Sequence, residues 1–409
     1  MKHTDTIIIG GGQAGLAMSR CLTEYQIDHV ILERGRVGER WRSERWDSLR
    51  LLTPNWQSRL PHFHYDGSHP DAFMTMPEFI RHLERYAESF EAPVQAGTTV
   101  QIVERLDNGR FRVATDNGDW SAHNVVVATG FCDTPRVPAF SAAMPGNIVQ
   151  IVPSDYRNPS QVPQGGVLVV GASATGLQIA DELAEAGRKV ILAVGTHVRV
   201  PRRYRGEDIL YWMDAMGAFN APADPVEERK SPPPQLVGTP ENRDLDLAGL
   251  QKKGVRLVGR ATSVQGDRVY FADDLKAKVE MADTQMMGLL AKIDGFIESS
   301  GAQAPAADCD SITTVKVPTA PTVIDLRTKN VRTVIWATGY ERHYPWLKVP
   351  VLDDRGEIRH QAGVMPEPGL YVLGMRFQRS KGSNLLDYVG RDAEVLSKHI
   401  AERFRDKAA

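Results

Sequence analysis

The chain has 409 residues, of which 42% are hydrophobic and 24% are charged, and its formal net charge is -2 at pH 7. A chain of this length predicts two or three domains, and without a basic excess it is not expected to bind nucleic acid or an anionic membrane. The three cysteines, Cys21, Cys132 and Cys309, lie far apart, which favours a reducing compartment and argues against a disulfide reductase or a metal site.

The first predicted element is a βαβ unit over residues 6–33. A short apolar run leads into the loop Gly10-Gly11-Gly12-Gln13-Ala14-Gly15, and a helix-compatible stretch and the apolar run HVIL follow. Such a loop suits a pyrophosphate, because glycine permits a tight turn and a close backbone approach at a helix N-terminus. Glu33 follows the second strand, where a carboxylate can accept hydrogen bonds from ribose hydroxyls. The unit therefore predicts a dinucleotide site; a glycine-rich turn without a ligand is the alternative.

An antiparallel meander is predicted over residues 98–128. The tripeptide DNG at 107–109 and at 116–118 favours tight turns between alternating apolar segments. The meander closes on VVVATG, which contains Thr129 and Gly130, and a second such ending, VIWATG, contains Thr338 and Gly339. We interpret the two endings as the points where the chain passes between domains.

A second βαβ unit is predicted over residues 167–194. Its loop, Gly171-Ala172-Ser173-Ala174-Thr175-Gly176, has Ser173 where a middle glycine is usual, and its second strand ends in Val194 and Gly195 without an acid. The following segment RVPRRYR places four arginines where a 2′-phosphate would lie, which favours NADPH over NADH. These are Arg199, Arg202, Arg203 and Arg205. A solvated basic loop is the alternative interpretation, and NADH stays open as the cofactor.

The rest of the chain gives weaker signals. Residues 221–245 are rich in proline and charge and predict a loop or lid. Apolar residues at helical spacing between Asp283 and Ser300 are most typical of core packing, with a pocket wall as the alternative. After the strand GLYVLG, a helix is predicted to start near Ser383. The histidines of HFH at 62–64 have no recurring ligand spacing, and no metal site is predicted.

Two dinucleotide units in one chain predict electron transfer between two bound cofactors, FAD at the first and NADPH at the second. The predicted fold class is α/β, with two Rossmann-like domains, an antiparallel β-meander and a partly helical insertion. An FAD-binding domain is expected over 1–160 and 326–409, and an NADPH-binding domain over 161–325 with a lid-like insertion at about 215–325. The N-terminus has no secretory pattern, so we expect a cytoplasmic protein. Its expected partners are O2 and a small-molecule substrate, and a homodimer is compatible with them.

The order of these motifs resembles the class B flavin-dependent monooxygenases, a group that includes the Baeyer-Villiger, N-hydroxylating and flavin-containing monooxygenases. The motifs are IIIGGGQAG, Glu33, GERW at 38–41, LLTP at 51–54, VVVATG, YRNP, GASATG and ATGY at 337–340. The resemblance covers the chain outside about 215–325 and is closest to short bacterial FAD- and NAD(P)-binding oxidoreductases. It implies a glutathione-reductase-like fold of three-layer ββα domains. It also implies an NADPH-dependent monooxygenase that inserts one oxygen atom of O2 into a small organic substrate through a C4a-peroxyflavin.

The motifs and the resemblance together give candidate site residues. The candidate catalytic residues are Thr53, Asn55 and Tyr156. The candidate cofactor-binding residues outside the second βαβ unit are Gly10, Gly12, Gln13, Ala14, Gly15, Glu33, Arg34, Trp41, Thr53, Val100, Thr129, Gly130, Thr338, Gly339, Ser383, Asn384 and Leu385. Those in and after the second unit are Gly171, Ser173, Ala174, Thr175, Gly176, Gln178, Arg199, Arg202 and Arg203.

Three departures from the family pattern concern the reaction rather than the cofactors. Val152 replaces a histidine four residues before Tyr156, Leu52 replaces an asparagine, and Gly195 stands where Baeyer-Villiger members usually carry an arginine. An NAD(P)H oxidase or flavin reductase that releases hydrogen peroxide is therefore one alternative, and a non-catalytic flavoprotein is another. The prolines of the segment 151–163 predict an extended hinge, which Tyr156, Arg157 and Asn158 are expected to anchor.

Overall fold

Buried runs of β-branched residues build two five-stranded sheets, in which every pairing is parallel. The structure is a computed structural model, and it describes residues 1–223, 232–306, 315–317 and 319–408. The predicted α/β class with two Rossmann-like units is confirmed.

The strands in chain order are β1 Lys2–His3, β2 Thr6–Ile9, β3 His29–Leu32, β4 Val94–Gln95, β5 Val100–Arg105, β6 Phe111–Thr115, β7 Trp120–Ala122, β8 Asn124–Val127, β9 Thr134–Pro135, β10 Val149–Ile151, β11 Gly166–Val170, β12 Val190–Ala193, β13 Val198–Arg199, β14 Arg203–Tyr204, β15 Glu207–Asp208, β16 Pro234–Gln235, β17 Arg256–Val258, β18 Ala261–Gln265, β19 Arg268–Phe271, β20 Val323–Asp325, β21 Val331–Trp336, β22 Tyr340–Glu341 and β23 Leu370–Val372.

The α-helices within the described residues are α1 Gln13–Glu24, α2 Glu39–Ser43, α3 Met76–Ser89, α4 Ala174–Glu185, α5 Ile209–Ala215, α6 Leu247–Lys252, α7 Leu275–Ser300 and α8 Leu386–Ala408. Short 3-10 helices occupy Asn55–Gln57, Ala139–Ala143, Pro159–Gln161 and Ala218–Asn220. The helix α3 has a complete N-terminal capping box, in which the Thr75 and Glu78 side chains each accept a hydrogen bond from the other's backbone N–H.

The first sheet has the strand order β23-β8-β2-β3-β4. Its central strand β2 is wholly buried, and Ile9 lies opposite Leu32 on one side and Val127 on the other. The helix α1 packs against both β2 and the last helix α8. The last helix therefore packs in the same core as α1, as expected if the chain returns to its first domain.

The predicted meander is present as β5, β6 and β7, which pair antiparallel. Gly109 and Gly118, the last residues of the two DNG turns, have φ angles of 78° and 95°. Glycine adopts this left-handed conformation without a Cβ penalty, which explains why the turns occur at these tripeptides. The strand β1 adds to the meander in parallel with β7.

The second sheet has the strand order β10-β21-β11-β12-β17. Two of its strands, β10 and β21, come from segments that the sequence prediction placed in the first domain, and β17 comes from the predicted insertion. The second sheet therefore includes strands from both sides of the predicted limits at 160 and 326. The domain boundaries themselves stay a prediction.

The predicted insertion contains both helix and sheet. The strands β18, β19 and β20 form an antiparallel sheet, and α7 extends the predicted helix toward its N-terminus. Met286, Leu290, Ile293 and Ile297 of α7 are buried in a cluster with Trp212 and Tyr388, whereas Met287 is exposed. Core packing therefore explains most of this apolar stripe. Part of the predicted loop, residues 224–231, and Cys309 lie outside the described residues.

Candidate functional site

The first glycine loop joins β2 to α1 and requires glycine at two of its positions. A Cβ atom on Gly15 would lie 1.9 Å from the Gly10 carbonyl oxygen, and one on Gly10 would lie 2.6 Å from the carbonyl oxygen of Ala128. Gly12, by contrast, faces open space and is the N-cap of α1 without a side-chain cap. The first N–H groups of α1 are therefore available to an anion, and the cradle fits a pyrophosphate.

The second glycine loop repeats this geometry at the start of α4. A Cβ atom on Gly176 would lie 1.9 Å from the Gly171 carbonyl oxygen, and one on Gly171 would lie 2.2 Å from the carbonyl oxygen of Ala337. Ser173 is the N-cap of α4 and makes no side-chain cap. The serine in place of the middle glycine has not changed the cradle, so two equivalent dinucleotide sites are present in one chain.

Each glycine loop is closed by one of the ATG endings, through Ala128 in the first half and Ala337 in the second. The two endings also approach each other, because the Arg136 backbone N–H donates to the Gly339 carbonyl at 2.9 Å and β9 pairs with β22. Thr129, Gly130 and Thr338 are half-buried at this junction. Their predicted contact with cofactors stays a prediction, but the fold does bring the two crossings together.

Glu33 lies directly after β3 and is 8% exposed. Its Oε2 accepts a hydrogen bond from the Gly11 backbone N–H at 2.6 Å, and its Oε1 accepts one from Gly35 at 2.8 Å. Each carboxylate oxygen can accept a second hydrogen bond, so the group retains capacity for ribose hydroxyls. The backbone thus orients the carboxylate at the edge of the first glycine loop.

The residues before α8 lie against the first glycine loop. The Gln13 side-chain amide donates to the Asn384 carbonyl oxygen at 3.3 Å. The buried Ser383 hydroxyl accepts from the backbone N–H groups of Arg379 and Ser380, each at 3.0 Å, and thereby holds the turn. This turn delays the helix start to Leu386, three residues after the predicted Ser383. Gln13 and Asn384, which are both candidate cofactor-binding residues, are therefore in direct contact.

Other candidates in the first half have different surroundings. Arg34 is exposed and forms an ion pair with Glu44 at 2.9 Å. Trp41 packs edge-on against Phe79 with ring centroids 5.0 Å apart. Val100 begins β5 beside a buried cluster. Their cofactor contacts stay predictions.

The segment 53–58 contains buried polar atoms without partners among the described residues. Asn55 Nδ2 donates to the His69 carbonyl at 2.9 Å, but Asn55 Oδ1 and both amide atoms of Gln57 have no partner there. Asn55 and Gln57 are 4% and 2% exposed, while Thr53 is half-buried. Buried polar groups nearly always have a partner, so these atoms indicate a ligand or ordered water beside this segment. Gln57 was not among the candidate site residues, because no sequence motif points to it.

Tyr156 has no exposed surface, and its hydroxyl donates to the Glu182 carboxylate of α4 at 2.7 Å. A tyrosine without exposed surface is more typical of core packing than of substrate contact, so its burial argues against a catalytic role for Tyr156, which stays a prediction. The next two residues face the first half: the Arg157 guanidinium donates to the Arg45 carbonyl at 3.4 Å, and Asn158 donates to Asp47 at 2.6 Å. The YRN segment thus joins the two halves, which agrees with the hinge role expected for it.

The arginines predicted to bind a 2′-phosphate are mostly engaged elsewhere. Arg199 is 5% exposed and pairs with Asp246 at 2.7 Å and Asp283 at 2.6 Å. Arg202 is 1% exposed, pairs with Asp208 and donates to the Leu52 carbonyl at 2.8 Å. Only Arg203 is exposed. A phosphate could contact the two buried arginines only if their buried ion pairs broke, so this geometry disfavours the predicted phosphate-binding role of Arg199 and Arg202. Their burial also disfavours the alternative, that they belong to a solvated basic loop.

Within the second unit, the Gln178 side chain is also occupied, because its amide donates to the Leu236 carbonyl at 2.7 Å. Thr175 and Ser173 are half-buried at the start of α4. A residue that the sequence analysis missed, Lys278 of α7, reaches the loop after β12, where its Nζ lies 3.1 Å from the Thr196 hydroxyl. No local sequence pattern joins residues 82 positions apart.

The fold and the paired glycine loops define a class of protein: an oxidoreductase with two dinucleotide sites in one chain. The family model for the pyridine nucleotide-disulphide oxidoreductases matches residues 7–215. The chain belongs to this family. An uncharacterized CzcO-like oxidoreductase of Geobacillus kaustophilus is 33% identical over 98% of this chain and 99% of its own length.

Two further relatives bear on the resemblance predicted from the sequence. The indole-3-pyruvate monooxygenase YUCCA1 of Oryza sativa is 25% identical over 98% of this chain and 93% of its own length. A flavin-containing monooxygenase from Stenotrophomonas maltophilia has a similar structure, with a TM-score of 0.69 and 19% identity over 98% of this chain and 99% of its own. The resemblance to the class B flavin monooxygenase-like family is confirmed. The predicted cofactor pair of FAD and NAD(P) agrees with this family. No helix among the described residues is long and apolar enough to cross a membrane.

Proposed function

We propose that the protein is an NADPH-dependent monooxygenase that uses FAD to insert one oxygen atom of O2 into a small organic substrate. The observation that carries this proposal is the pair of equivalent glycine loops, of which only the first has a carboxylate after its second strand. The adenosine ribose of FAD can donate its hydroxyls to Glu33, whereas a carboxylate would repel the 2′-phosphate of NADPH. This asymmetry supports FAD at the first loop and NADPH at the second.

The names of two relatives support the same reaction class. Both YUCCA1 of Oryza sativa, which aligns with 98% of this chain, and the structurally similar protein of Stenotrophomonas maltophilia are monooxygenases. The candidate site contains no side chain that must act as a nucleophile, which suits a reaction whose bond-making chemistry resides in the cofactor. When bound, FAD would accept a hydride from the nicotinamide and react with O2.

The chain's own residues bind and orient. The free N–H groups at the start of α1 would stabilise the FAD pyrophosphate, and Glu33, fixed by two backbone N–H groups, would accept from the ribose. In the turn 383–385, held against Gln13, the Asn384 backbone N–H would face the cofactor at the N-terminus of α8, because the other two N–H groups already donate within the turn.

The segment after β16 would help to exclude water from the candidate catalytic segment 51–55. A Cβ atom on Gly238 would lie 2.2 Å from the Leu51 carbonyl oxygen and 2.7 Å from the Phe73 ring, so the two backbones are in close contact. The Leu52 carbonyl is covered by Arg202. Both contacts come from the second half of the chain and would limit the access of bulk water to this segment, in which Leu51 is buried and Thr53 is half-buried.

The cysteines do not support disulfide reduction, the chemistry in the family's name. Burial raises the pKa of the Cys21 thiol to about 12, and burial also raises the pKa of Cys132. The thiolate is the reactive form, so both described thiols are poor nucleophiles at neutral pH. Cys309 lies outside the described residues.

The competing proposal is an NAD(P)H oxidase that releases hydrogen peroxide, which the departures at Val152 and Leu52 favour. The two proposals differ in where the electrons of NADPH end. The test supplies isotopically labelled O2 with a panel of thioethers, amines, indoles and ketones, and measures labelled product and hydrogen peroxide per NADPH consumed. We expect one substrate class to take up one labelled oxygen atom per NADPH. Complete recovery of the electrons as hydrogen peroxide with every class would refute the monooxygenase proposal.

A further inference from the structure

The loop after β12 occupies the position that distinguishes NADPH from NADH. In a βαβ dinucleotide fold, the residues after the second strand face the 2′ position of the adenosine ribose. In the first half this position is Glu33; in the second half the strand ends at Ala193, and the sequence Val194–Val198 contains no acid. A Cβ atom on Gly195 would meet nothing within 4 Å, so the backbone here borders open space.

The cation closest in sequence to this loop, Arg199, is not available to a phosphate. Its guanidinium is bound by the carboxylates of Asp246 and Asp283, and it is 5% exposed. Removing it from these pairs would leave the buried carboxylate of Asp246 without its counter-charge, which is strongly unfavourable. A cation on another element that reaches this loop would therefore be a better source of charge for a phosphate.

Lys278 supplies such a charge from the second turn of α7. Its Nζ donates to the Thr196 hydroxyl at 3.1 Å, and Thr196 is exposed at the loop. An ammonium group has three N–H donors, so two remain for other acceptors. The imidazole of His197, which lies beside it, is buried, and that burial lowers its pKa and keeps it neutral. Of the carboxylates that face this region, Asp283 is already paired with Arg199.

We propose that Lys278 is the residue that selects NADPH over NADH, by donating from Nζ to the 2′-phosphate of the bound nucleotide. This proposal rests on the proposed function, because it assumes that the second glycine loop binds the adenosine half of NADPH. It replaces the arginine cluster, predicted from the sequence, by one lysine of the insertion. The insertion would then contribute to cofactor specificity.

The test measures binding of 2′,5′-ADP and of 5′-AMP to the purified FAD-loaded protein by calorimetry. Lys278→Met keeps an unbranched apolar stem and removes the charge. We expect this variant to lose about tenfold or more of its affinity for 2′,5′-ADP, the range of a charge-assisted hydrogen bond, and to keep its affinity for 5′-AMP. Lys278→Arg should retain most of the affinity for 2′,5′-ADP.

The matched control is Lys276→Met, because Lys276 lies on the same helix, is 77% exposed and is 3.8 Å from Glu280. It should change neither affinity. An unchanged affinity of Lys278→Met for 2′,5′-ADP, or an equal loss for 5′-AMP, would overturn the proposal. Anaerobic reduction of the flavin in the wild-type protein is measured separately. If neither NADPH nor NADH reduces the flavin, the proposed function fails, while the difference between 2′,5′-ADP and 5′-AMP still decides the role of Lys278.

Discussion

Replacing Arg202 with methionine would remove a buried charge from the contact between the two halves of the chain. The Arg202 guanidinium pairs with Asp208, donates to the Leu52 carbonyl at 2.8 Å and lies 4.8 Å from the centre of the Phe73 ring. Methionine would fill the space of the arginine stem, but it would leave the Asp208 carboxylate without its counter-charge and Leu52 without its donor.

The expected destabilisation is about 3–5 kcal/mol, the cost of removing one partner of a buried ion pair. Arg203→Met is the matched control, because Arg203 is the next arginine in the chain but is exposed; a surface substitution should change the free energy of unfolding by about 0.5 kcal/mol or less. Urea denaturation followed by circular dichroism measures both variants. A destabilisation below about 1 kcal/mol for Arg202→Met, or equal effects of the two variants, would refute the reasoning.

The pH dependence of this variant provides a second check. Burial raises the pKa of Asp208, and Arg202 opposes that rise, so its removal raises the pKa further. For an acid whose folded-state pKa is raised, folding is favoured while the group is protonated, and stability is lost as the pH rises above the unfolded-state value. The stability difference between Arg202→Met and the wild-type protein should therefore be larger at neutral than at acidic pH. The double variant with Asp208→Asn should recover part of the loss and remove this pH dependence.

Three further substitutions test other parts of the structure. Gly15→Ala should abolish flavin binding and destabilise the protein, because its Cβ would lie 1.9 Å from the Gly10 carbonyl; a yellow, fully stable variant on purification would contradict the loop geometry. Tyr156→Phe should cost about 1 kcal/mol of stability, because the hydrogen bond to Glu182 is lost, and it should retain kcat. A large loss of kcat without a loss of stability would instead support a catalytic role for Tyr156. Burial lowers the pKa of His82 from 6.5 to about 4, so protonation of the unfolded state should reduce the Tm as the pH falls through this range. Tm values measured at several pH values should depend less on pH for His82→Leu than for the wild-type protein. If the two proteins showed the same dependence of Tm on pH, His82 would be excluded as its source.

Local patterns were sufficient to predict the two glycine loops, because the constraints act over a few residues. Gly10, Gly15 and Glu33 are fixed by one turn, one helix start and one strand end, all within one βαβ unit. The DNG turns of the meander are equally local. The α/β class with two Rossmann-like units followed from the repeat of the βαβ unit, whereas the order of the strands in each sheet comes from the structure alone.

The cation that faces the second site could not be predicted from such patterns. Arg199 acquires its partners Asp246 and Asp283 from segments 47 and 84 residues away, so its charge is cancelled by contacts that the sequence does not display. Lys278 reaches Thr196 only because α7 folds back over the loop after β12. Of the arginines in this segment, Arg202 contacts Leu52 of the first half, whereas Arg199 is paired within the second half. Their composition alone resembled a phosphate site.

The central claim, that electrons pass from a nicotinamide nucleotide to FAD within this chain, is tested most directly by anaerobic titration of the FAD-loaded protein with NADPH. We expect the visible absorbance of the oxidised flavin to disappear with one NADPH per bound FAD, and to return when O2 is admitted. A flavin that stays oxidised in the presence of excess NADPH and of excess NADH would contradict the claim and would favour a non-catalytic flavoprotein.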